Sequence, residues 1–234
     1  MNPKKYFLFA VLFCLSAGKL LGALIDTHIH FVWMRNEDVR SEFFIKTSDY
    51  KKIGGSLKSL SPEAQKYRGE NPFSVYRKND DGIYEDCGEI EIPAGTRNCA
   101  VILVPDWENN AETFAPKVLD LDSTEAQGGE LIFCNFSSLT LRAKVRGNAV
   151  EKYLPDECRK LYALDSSQES DSFSFKLLAS ATSAENIKRT WRYGNSMRLV
   201  KSQRYFLIAL PGKPKDDPEK PPQCELITLR TEAK

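Results

Sequence analysis

The sequence predicts an all-β protein with the fold of an antiparallel β-sandwich. Short segments rich in Val, Ile, Phe, Tyr and Thr recur along the whole chain, bounded by Gly, Pro, Asn and Asp. Helical periodicity is scarce, and the hydrophobic share of 41% is sufficient for a packed core. Many short strands with regular turn signals are typical of sandwiches and barrels.

Strands are predicted throughout the chain, in the order in which their segments occur. The first half contains LIDTHIHFVWM, EFFIKT, FSVYRK, IYEDCGEIEI, RNCAVILVP and KVLDLD. The second half contains ELIFCNF, LTLRAKV, NAVEKYL, CRKLYAL, FSFKLLAS, RLVKSQRYFLIAL and CELITLR. A short helix is predicted for SPEAQKYR, because Ser61 can cap it and Pro62 suits its first position.

Residues 87–104 are predicted to form a hairpin. Ile90 and Ile92 alternate with glutamates, and Gly95 can adopt the positive φ that a tight turn requires. The following AVILV segment is apolar on both faces, so we expect it in the centre of a sheet.

A faint internal repeat predicts two related units. Residues 92–103 and 154–164 both place an apolar residue and a proline before a polar turn and a new strand. This pattern favours two immunoglobulin-like or related sandwich domains or sheets in tandem, although chance similarity of two hairpins explains it equally well. The polar segment 107–117 is interpreted as a linker between domains of residues 24–106 and 118–234.

The N-terminus has the layout of a signal peptide over residues 1–23. Lys4 and Lys5 precede an apolar run of twelve residues, and small residues follow. That run is shorter than the ~20 residues of a membrane-spanning helix. We therefore expect cleavage between Gly18 and Leu24, export to the periplasm, cell surface or medium, and membrane contact only through the cleaved peptide.

Charge and cysteine content bound the possible partners and crosslinks. The chain has 33 Lys and Arg against 32 Asp and Glu, and their signs alternate along the sequence, which argues against nucleic-acid binding. Five cysteines follow the signal peptide: Cys87, Cys99, Cys134, Cys158 and Cys224. They allow at most two disulfides and one leftover thiol, or buried cysteines with at most one bridge.

Asp26, His28 and His30 form the motif DTHIH. It resembles the first strand of amidohydrolases and TatD-like nucleases, in which two histidines on one strand face bind a divalent metal. In those families further histidines and a carboxylate or modified lysine complete the site, whereas this chain contains two His in total. Their barrel also needs alternating helices and about 250 residues. We therefore predict no catalytic residue, metal or cofactor, and a metal-dependent hydrolase is the disfavoured alternative.

The aromatic residues Trp33, Trp107, Trp191 and Tyr193 suggest a second alternative. They could form a sugar-stacking platform of the kind found in carbohydrate-binding modules, although packing in the core is the more common use of such residues.

Three segments resemble parts of a group of exported β-sandwich proteins of Verrucomicrobia-like bacteria: IPAGTRNCAVILVPD, GGELIFCNFSSLTLRAKVRG and WRYGNSMRLVKSQRYFLIALPG. The resemblance implies a periplasmic or cell-surface all-β protein and carries no catalytic signature to transfer. The sequence thus predicts a non-catalytic binding or structural component of the cell envelope, whose partner is another envelope protein or a glycan.

Overall fold

The computed structural model of the protein describes residues 23–122, 127–145, 150–182, 188–214 and 223–233. The predicted signal peptide lies outside these ranges except for Ala23. Strands account for 64% of the structure and helix for 3%, which confirms the all-β prediction. The described residues form one helix, α1, Asn36–Arg40. A helix with the length and hydropathy of a membrane span is absent from this part of the chain.

Nineteen strands make up the described fold. Those of the first half are β1 Ala23–Trp33, β2 Phe43–Lys46, β3 Tyr50–Ile53, β4 Gly55–Leu57, β5 Gln65–Asn71, β6 Phe73–Lys78, β7 Tyr84–Ile90, β8 Asn98–Leu103, β9 Pro105–Asp106, β10 Asn110–Phe114 and β11 Lys117–Asp120. Those of the second half are β12 Glu130–Asn135, β13 Leu141–Val145, β14 Glu151–Tyr153, β15 Glu157–Ala163, β16 Ser170–Thr182, β17 Lys188–Val200, β18 Gln203–Pro211 and β19 Cys224–Glu232.

The strands form four main sheets and one small hairpin, β9–β10. The first outer sheet has the order β3-β2-β6-β7. The first inner sheet has the order β11-β8-β1, and both β4 and β5 pair with the other edge of β1. The second inner sheet is β15-β12-β18-β19, and the second outer sheet is β14-β13-β16-β17.

Three apolar layers hold these sheets in one stack. The first core lies between the first outer and first inner sheets and includes Phe31 and Val75. The second core lies between the second inner and second outer sheets and includes Phe133 and Phe175. A third layer packs the two inner sheets back to back. The two outer sheets therefore lie at opposite ends of the stack, each with one face toward solvent.

Burial on both faces explains the composition of the inner strands. In β8, Val101 faces the first core, while Ile102 faces the layer between the inner sheets, and both are fully buried. In β18, Leu207 and Ile208 divide in the same way between the second core and that layer. A strand covered on both sides has apolar residues at successive positions, unlike the alternating strands of the outer sheets. The predicted central position of AVILV is confirmed, since β8 lies between β1 and β11.

The two halves of the chain repeat one pattern of strand pairing. In the first half β1 pairs antiparallel with β5 and parallel with β8, which pairs antiparallel with β11. In the second half β12 pairs antiparallel with β15 and parallel with β18, which pairs antiparallel with β19. The outer sheets repeat in the same way. In the first outer sheet β2 lies between β3 and β6, and in the second β13 lies between β14 and β16.

This topology corrects the alignment of the predicted repeat. The sequence comparison matched residues 92–103 with 154–164, which places β8 against β15, and these strands occupy different positions in their sheets. The equivalent strands are β8 and β18, where CAVILVP of Cys99–Pro105 corresponds to YFLIALP of Tyr205–Pro211. The parallel pairs β1–β8 and β12–β18 also depart from a purely antiparallel sandwich, because each half returns to its inner sheet only after an outer hairpin.

Other local predictions differ from the structure. The segment 107–117, predicted as a linker, contains β10 and the first residue of β11, and Phe114 is buried in the first core. The predicted helix 61–68 runs into β5, whose pairing with β1 outweighs the capping signal. The predicted hairpin 87–104 is a crossover, since β7 pairs with β6 and β8 with β1, although Gly95 does turn the chain with a φ of 85°.

The segment RLVKSQRYFLIAL also departs from its prediction as one strand. A turn at Lys201 and Ser202 divides it between β17 of the second outer sheet and β18 of the second inner sheet.

Candidate functional site

The DTHIH motif lies on the half of β1 that carries solvent-accessible side chains. Asp26 and His28 are exposed and His30 is half-buried, whereas Thr27 and Ile29 between them are buried. The alternation places the acidic residue and both histidines on one face of the strand, as the sequence predicted.

The neighbouring strand surrounds this motif with positive charge. Lys66 and Arg68 of β5 lie directly opposite His28 and Asp26 in the antiparallel ladder, so their side chains share the same face. The Lys66 ammonium is 3.6 Å from the Asp26 carboxylate. Cations at these positions repel a metal ion and occupy the carboxylate that would help to bind it.

His30 is held by a hydrogen bond of its own. Its Nδ1 lies 2.9 Å from the Ser61 carbonyl oxygen, which can only accept a hydrogen bond, so Nδ1 is the donor. Such a bond can orient the other ring nitrogen toward a metal. Within the described ranges, however, no three His, Cys, Asp or Glu side chains are grouped closely enough to hold a metal ion. Among the described residues, the motif therefore places two histidines on one strand face without a third ligand close to both.

The cysteines do not supply a nucleophile in this region. Cys134 and Cys158 form a disulfide between β12 and β15. Cys87, Cys99 and Cys224 are free and buried. Burial raises the pKa of the Cys99 thiol to about 12 and raises the pKa of the other two thiols above their usual value. Such thiols stay protonated at neutral pH, and the thiolate is the reactive form.

Of the aromatic residues that could form a platform, the described side chains of Trp33, Trp107 and Tyr193 do not come together. Trp33 is buried in the first core, 5.0 Å from Phe43 between ring centroids. Trp107 lies in the β9–β10 connection with the Arg35 guanidinium 5.9 Å and the Lys213 ammonium 5.8 Å from its ring centroid. Tyr193 packs 6.1 Å from Phe175, and the side chain of Trp191 lies outside the described ones.

A different set of aromatic residues assembles on the solvent side of the first outer sheet. We call Phe44, Tyr50, Tyr76 and Tyr84 the tyrosine face. The rings of Tyr50 and Tyr84 reach across the two central strands and stack with centroids 3.7 Å apart. Tyr76 contacts Tyr50 edge-on at 5.1 Å, and Phe44 contacts Tyr84 edge-on at 5.1 Å. Four strands thus contribute one ring each to a single half-buried cluster.

Two lysines and three phenol groups make this cluster amphipathic. The Lys46 ammonium lies 5.7 Å from the Tyr50 ring centroid, and the Lys78 ammonium lies 5.7 Å from that of Tyr84. The hydroxyls of the three tyrosines make no hydrogen bond to any described residue, so they can bond to water or a ligand. The surface combines exposed ring area, free hydroxyls and flanking cations.

The tyrosine face is not among the sequence predictions, although the alternation of residues that produces it is visible in the strand sequences. Phe44 and Lys46 alternate with buried Phe43 and Ile45, and Tyr76 and Lys78 alternate in the same way with buried Val75 and half-buried Arg77. Collecting the outward positions of each predicted strand would have found the aromatic residues. It would not have shown that they meet, because that depends on the strand order of the sheet.

Comparison with known proteins identifies no family for this chain. No protein-family model matches the chain, and no curated protein is significantly similar to it.

Proposed function

We propose that the protein is an exported, non-catalytic β-sandwich protein of the cell envelope that binds a glycan through the tyrosine face. The four-ring cluster on the first outer sheet is the observation that carries this proposal. Aromatic rings accept the apolar C–H faces of sugars, and tyrosine adds a hydroxyl that can bond to sugar hydroxyls. Lys46 and Lys78 at the border of the cluster offer further hydrogen-bond donors.

Two further observations support this class of function over the alternatives. The disulfide between Cys134 and Cys158 is typical of proteins from oxidising compartments, in agreement with the expected export. A hydrolase built on His28 and His30 would have to tolerate Lys66 and Arg68 beside its metal. The carbohydrate-binding alternative is retained, with the tyrosine face in place of the tryptophans.

Binding of the intact protein to polysaccharides tests the proposal. Purified peptidoglycan, xylan and cellulose are each incubated with the protein, and the bound fraction is measured after sedimentation. We expect at least one of the three to bind, and the double substitution Tyr50→Ala with Tyr84→Ala to reduce binding at least tenfold. Leu154→Ala, an exposed apolar residue of the second half, serves as the matched control and should leave binding unchanged.

The ring cluster also stabilises its sheet, so a second variant separates binding from folding. Tyr50→Phe with Tyr84→Phe preserves the stacked rings and removes two hydroxyls, and it should weaken binding several-fold at an unchanged melting temperature. Binding of all three polysaccharides at wild-type strength by both double variants would refute a role for the tyrosine face in glycan recognition.

A further inference from the structure

The solvent side of the second outer sheet carries a concentration of positive charge. The outward positions of its strands hold six cations, which we call the basic face: Arg142, Lys144, Lys152, Lys176, Arg192 and Arg198. The remaining described outward residues are serines, Leu178, Gly194 and Val200, and none is acidic. The first outer sheet, at the opposite end of the stack, differs because Asp86 lies beside Tyr76 on its solvent side.

Strand register places these like charges directly against one another. Lys144 of β13 lies opposite Lys176 of β16, and Arg142 lies opposite Lys152 of β14. Directly opposed like charges destabilise a sheet. None of these four cations forms an ion pair with a described carboxylate. The sheet therefore maintains an unfavourable arrangement that a bound polyanion would relieve.

A cleft of about 490 Å³ opens within this face. Arg142, Lys144, Lys176 and Arg192 line it, and Gly194 leaves space opposite Lys176 because it has no side chain. Leu178, Tyr193 and Val150 supply apolar lining, and Val150 is 57% exposed. Its volume lies within the ~300–1,000 Å³ of sites that hold small ligands or a few polymer units.

We propose that this cleft is a second binding site, specific for an anionic polysaccharide. Guanidinium groups bind carboxylates and sulfates through paired hydrogen bonds, and the lysines add charge. The apolar lining fits the C–H face of a sugar ring. The adjacent outward serines, Ser174 and Ser196, offer hydroxyl groups to neighbouring sugar units. This proposal holds whether or not the tyrosine face binds a glycan.

The shape of the face favours a polysaccharide over other polyanions. A membrane surface is flat, whereas the cations here line a recess. Single-stranded nucleic acid is bound through aromatic rings on which its bases stack. Among the described side chains, Tyr193 is the aromatic one that lines this cleft, and it packs against Phe175.

Calorimetric titration of the intact protein tests this site with defined probes. Polygalacturonate supplies carboxylates, heparin supplies sulfates, and neutral dextran is the uncharged control. We expect one or both anionic polymers to bind, dextran to show no binding, and the affinity to fall at least fivefold between 50 mM and 300 mM NaCl, because salt screens exposed charge. Preference for one polymer identifies the anionic group.

Paired charge-removal variants show whether the cleft is responsible. Arg142→Gln with Arg192→Gln should weaken binding at least tenfold, while Lys66→Gln with Arg68→Gln removes the same charge from the first inner sheet and should change it less than twofold. Equal weakening in the two variants would refute a specific site. Stronger binding of oligo-dT or of phosphatidylserine vesicles than of either polysaccharide would assign the face to another class of polyanion and overturn the proposal.

The melting temperature of the ligand-free protein tests separately whether the opposed lysines destabilise the sheet. Lys176→Gln removes one of two opposed lysines without removing buried surface, so it should leave the melting temperature of the free protein unchanged or raise it. The same substitution should weaken binding of the preferred polymer several-fold. A lower melting temperature together with unchanged polymer affinity would make Lys176 a structural residue and would contradict the proposed site.

Discussion

At the scale of single residues, burial governs the chemistry of the ionisable side chains in the core. Tyr67 is 1% exposed and its hydroxyl donates to the Glu70 carbonyl oxygen at 2.7 Å. Burial raises the pKa of Tyr67 to about 12 and that of Cys99 to about 12. Both groups are neutral at physiological pH, so they contribute packing and hydrogen bonding without charge.

These raised pKa values predict loss of stability in alkaline solution. Above about pH 9 an unfolded cysteine loses its proton while folded Cys99 retains it, so deprotonation favours the unfolded chain. The stabilisation is complete below pH 9 and disappears as the pH rises toward 12, and Tyr67 adds to the loss above pH 10. Urea midpoints should therefore decrease from pH 8 to pH 10.5. Cys99→Ala should reduce the slope between pH 9 and 10, whereas identical slopes would contradict this origin.

Among the strands, those of the two inner sheets pack against apolar layers on both faces. Ile102 in β8 is fully buried between the two inner sheets, whereas Glu91 is exposed in the crossover between β7 and β8. The two residues lie close in sequence but differ in environment, because the chain leaves one sheet at Ile90 and enters another at Asn98.

Substitutions at these two positions compare core with crossover. Ile102→Ala should lower the free energy of unfolding by about 2 to 5 kcal/mol through lost burial and a residual cavity. Glu91→Ala should change it by less than about 0.5 kcal/mol. Urea denaturation of both variants measures the difference. Equally small effects would show that β8 is not central to the core.

The Cys134–Cys158 disulfide makes a separate prediction for the second inner sheet. It joins β12 to β15 across a sequence separation of 24 residues. Closing a loop of that size in the unfolded chain stabilises the folded state by about 3 kcal/mol. Cys134→Ala with Cys158→Ala should therefore lower the free energy of unfolding by roughly that amount. Reducing agent should destabilise the wild-type protein but leave this double variant unaffected, and a response from the variant would indicate another disulfide.

At the scale of the whole molecule, the layer between the inner sheets joins the two halves. Phe206 of β18 and Val32 of β1 belong to this apolar layer and are fully buried. Buried Arg204 donates a hydrogen bond from Nη1 to the Leu121 carbonyl oxygen at 3.1 Å, across the boundary between the halves. The ion pair between Lys58 and Glu225, at 2.6 Å, links the same two sheets at the surface.

A shared layer of this kind predicts cooperative unfolding of both halves. With Trp107→Phe and Trp191→Phe as background, Trp33 reports on the first core by fluorescence and circular dichroism reports on all strands. The two signals should give one urea midpoint. Phe206→Ala should lower the free energy of unfolding by about 3 to 5 kcal/mol and move both midpoints together. If the Trp33 midpoint stays constant while the dichroism midpoint falls, the halves unfold independently.

Most of the strands, and the buried face of each of them, could be predicted from local sequence alone, although β5 was predicted as a helix and β10 as part of a linker. Alternation in LRAKV, Leu141–Val145, predicts one apolar and one charged face, and continuous apolarity in AVILV predicts a strand covered on both sides. Both are local properties, because successive side chains of a strand point in opposite directions.

Which strands pair, and which outward side chains meet, could be read only from the three-dimensional fold. Parallel pairing of β1 with β8, the disulfide partner of Cys134, the tyrosine face and the basic face all join residues distant in sequence. The alternation of side chains along a strand shows which face of the sheet a residue occupies, but it does not show which strand lies beside it. The neighbour is chosen by packing of complete sheets against one another, and that choice is a property of the whole chain.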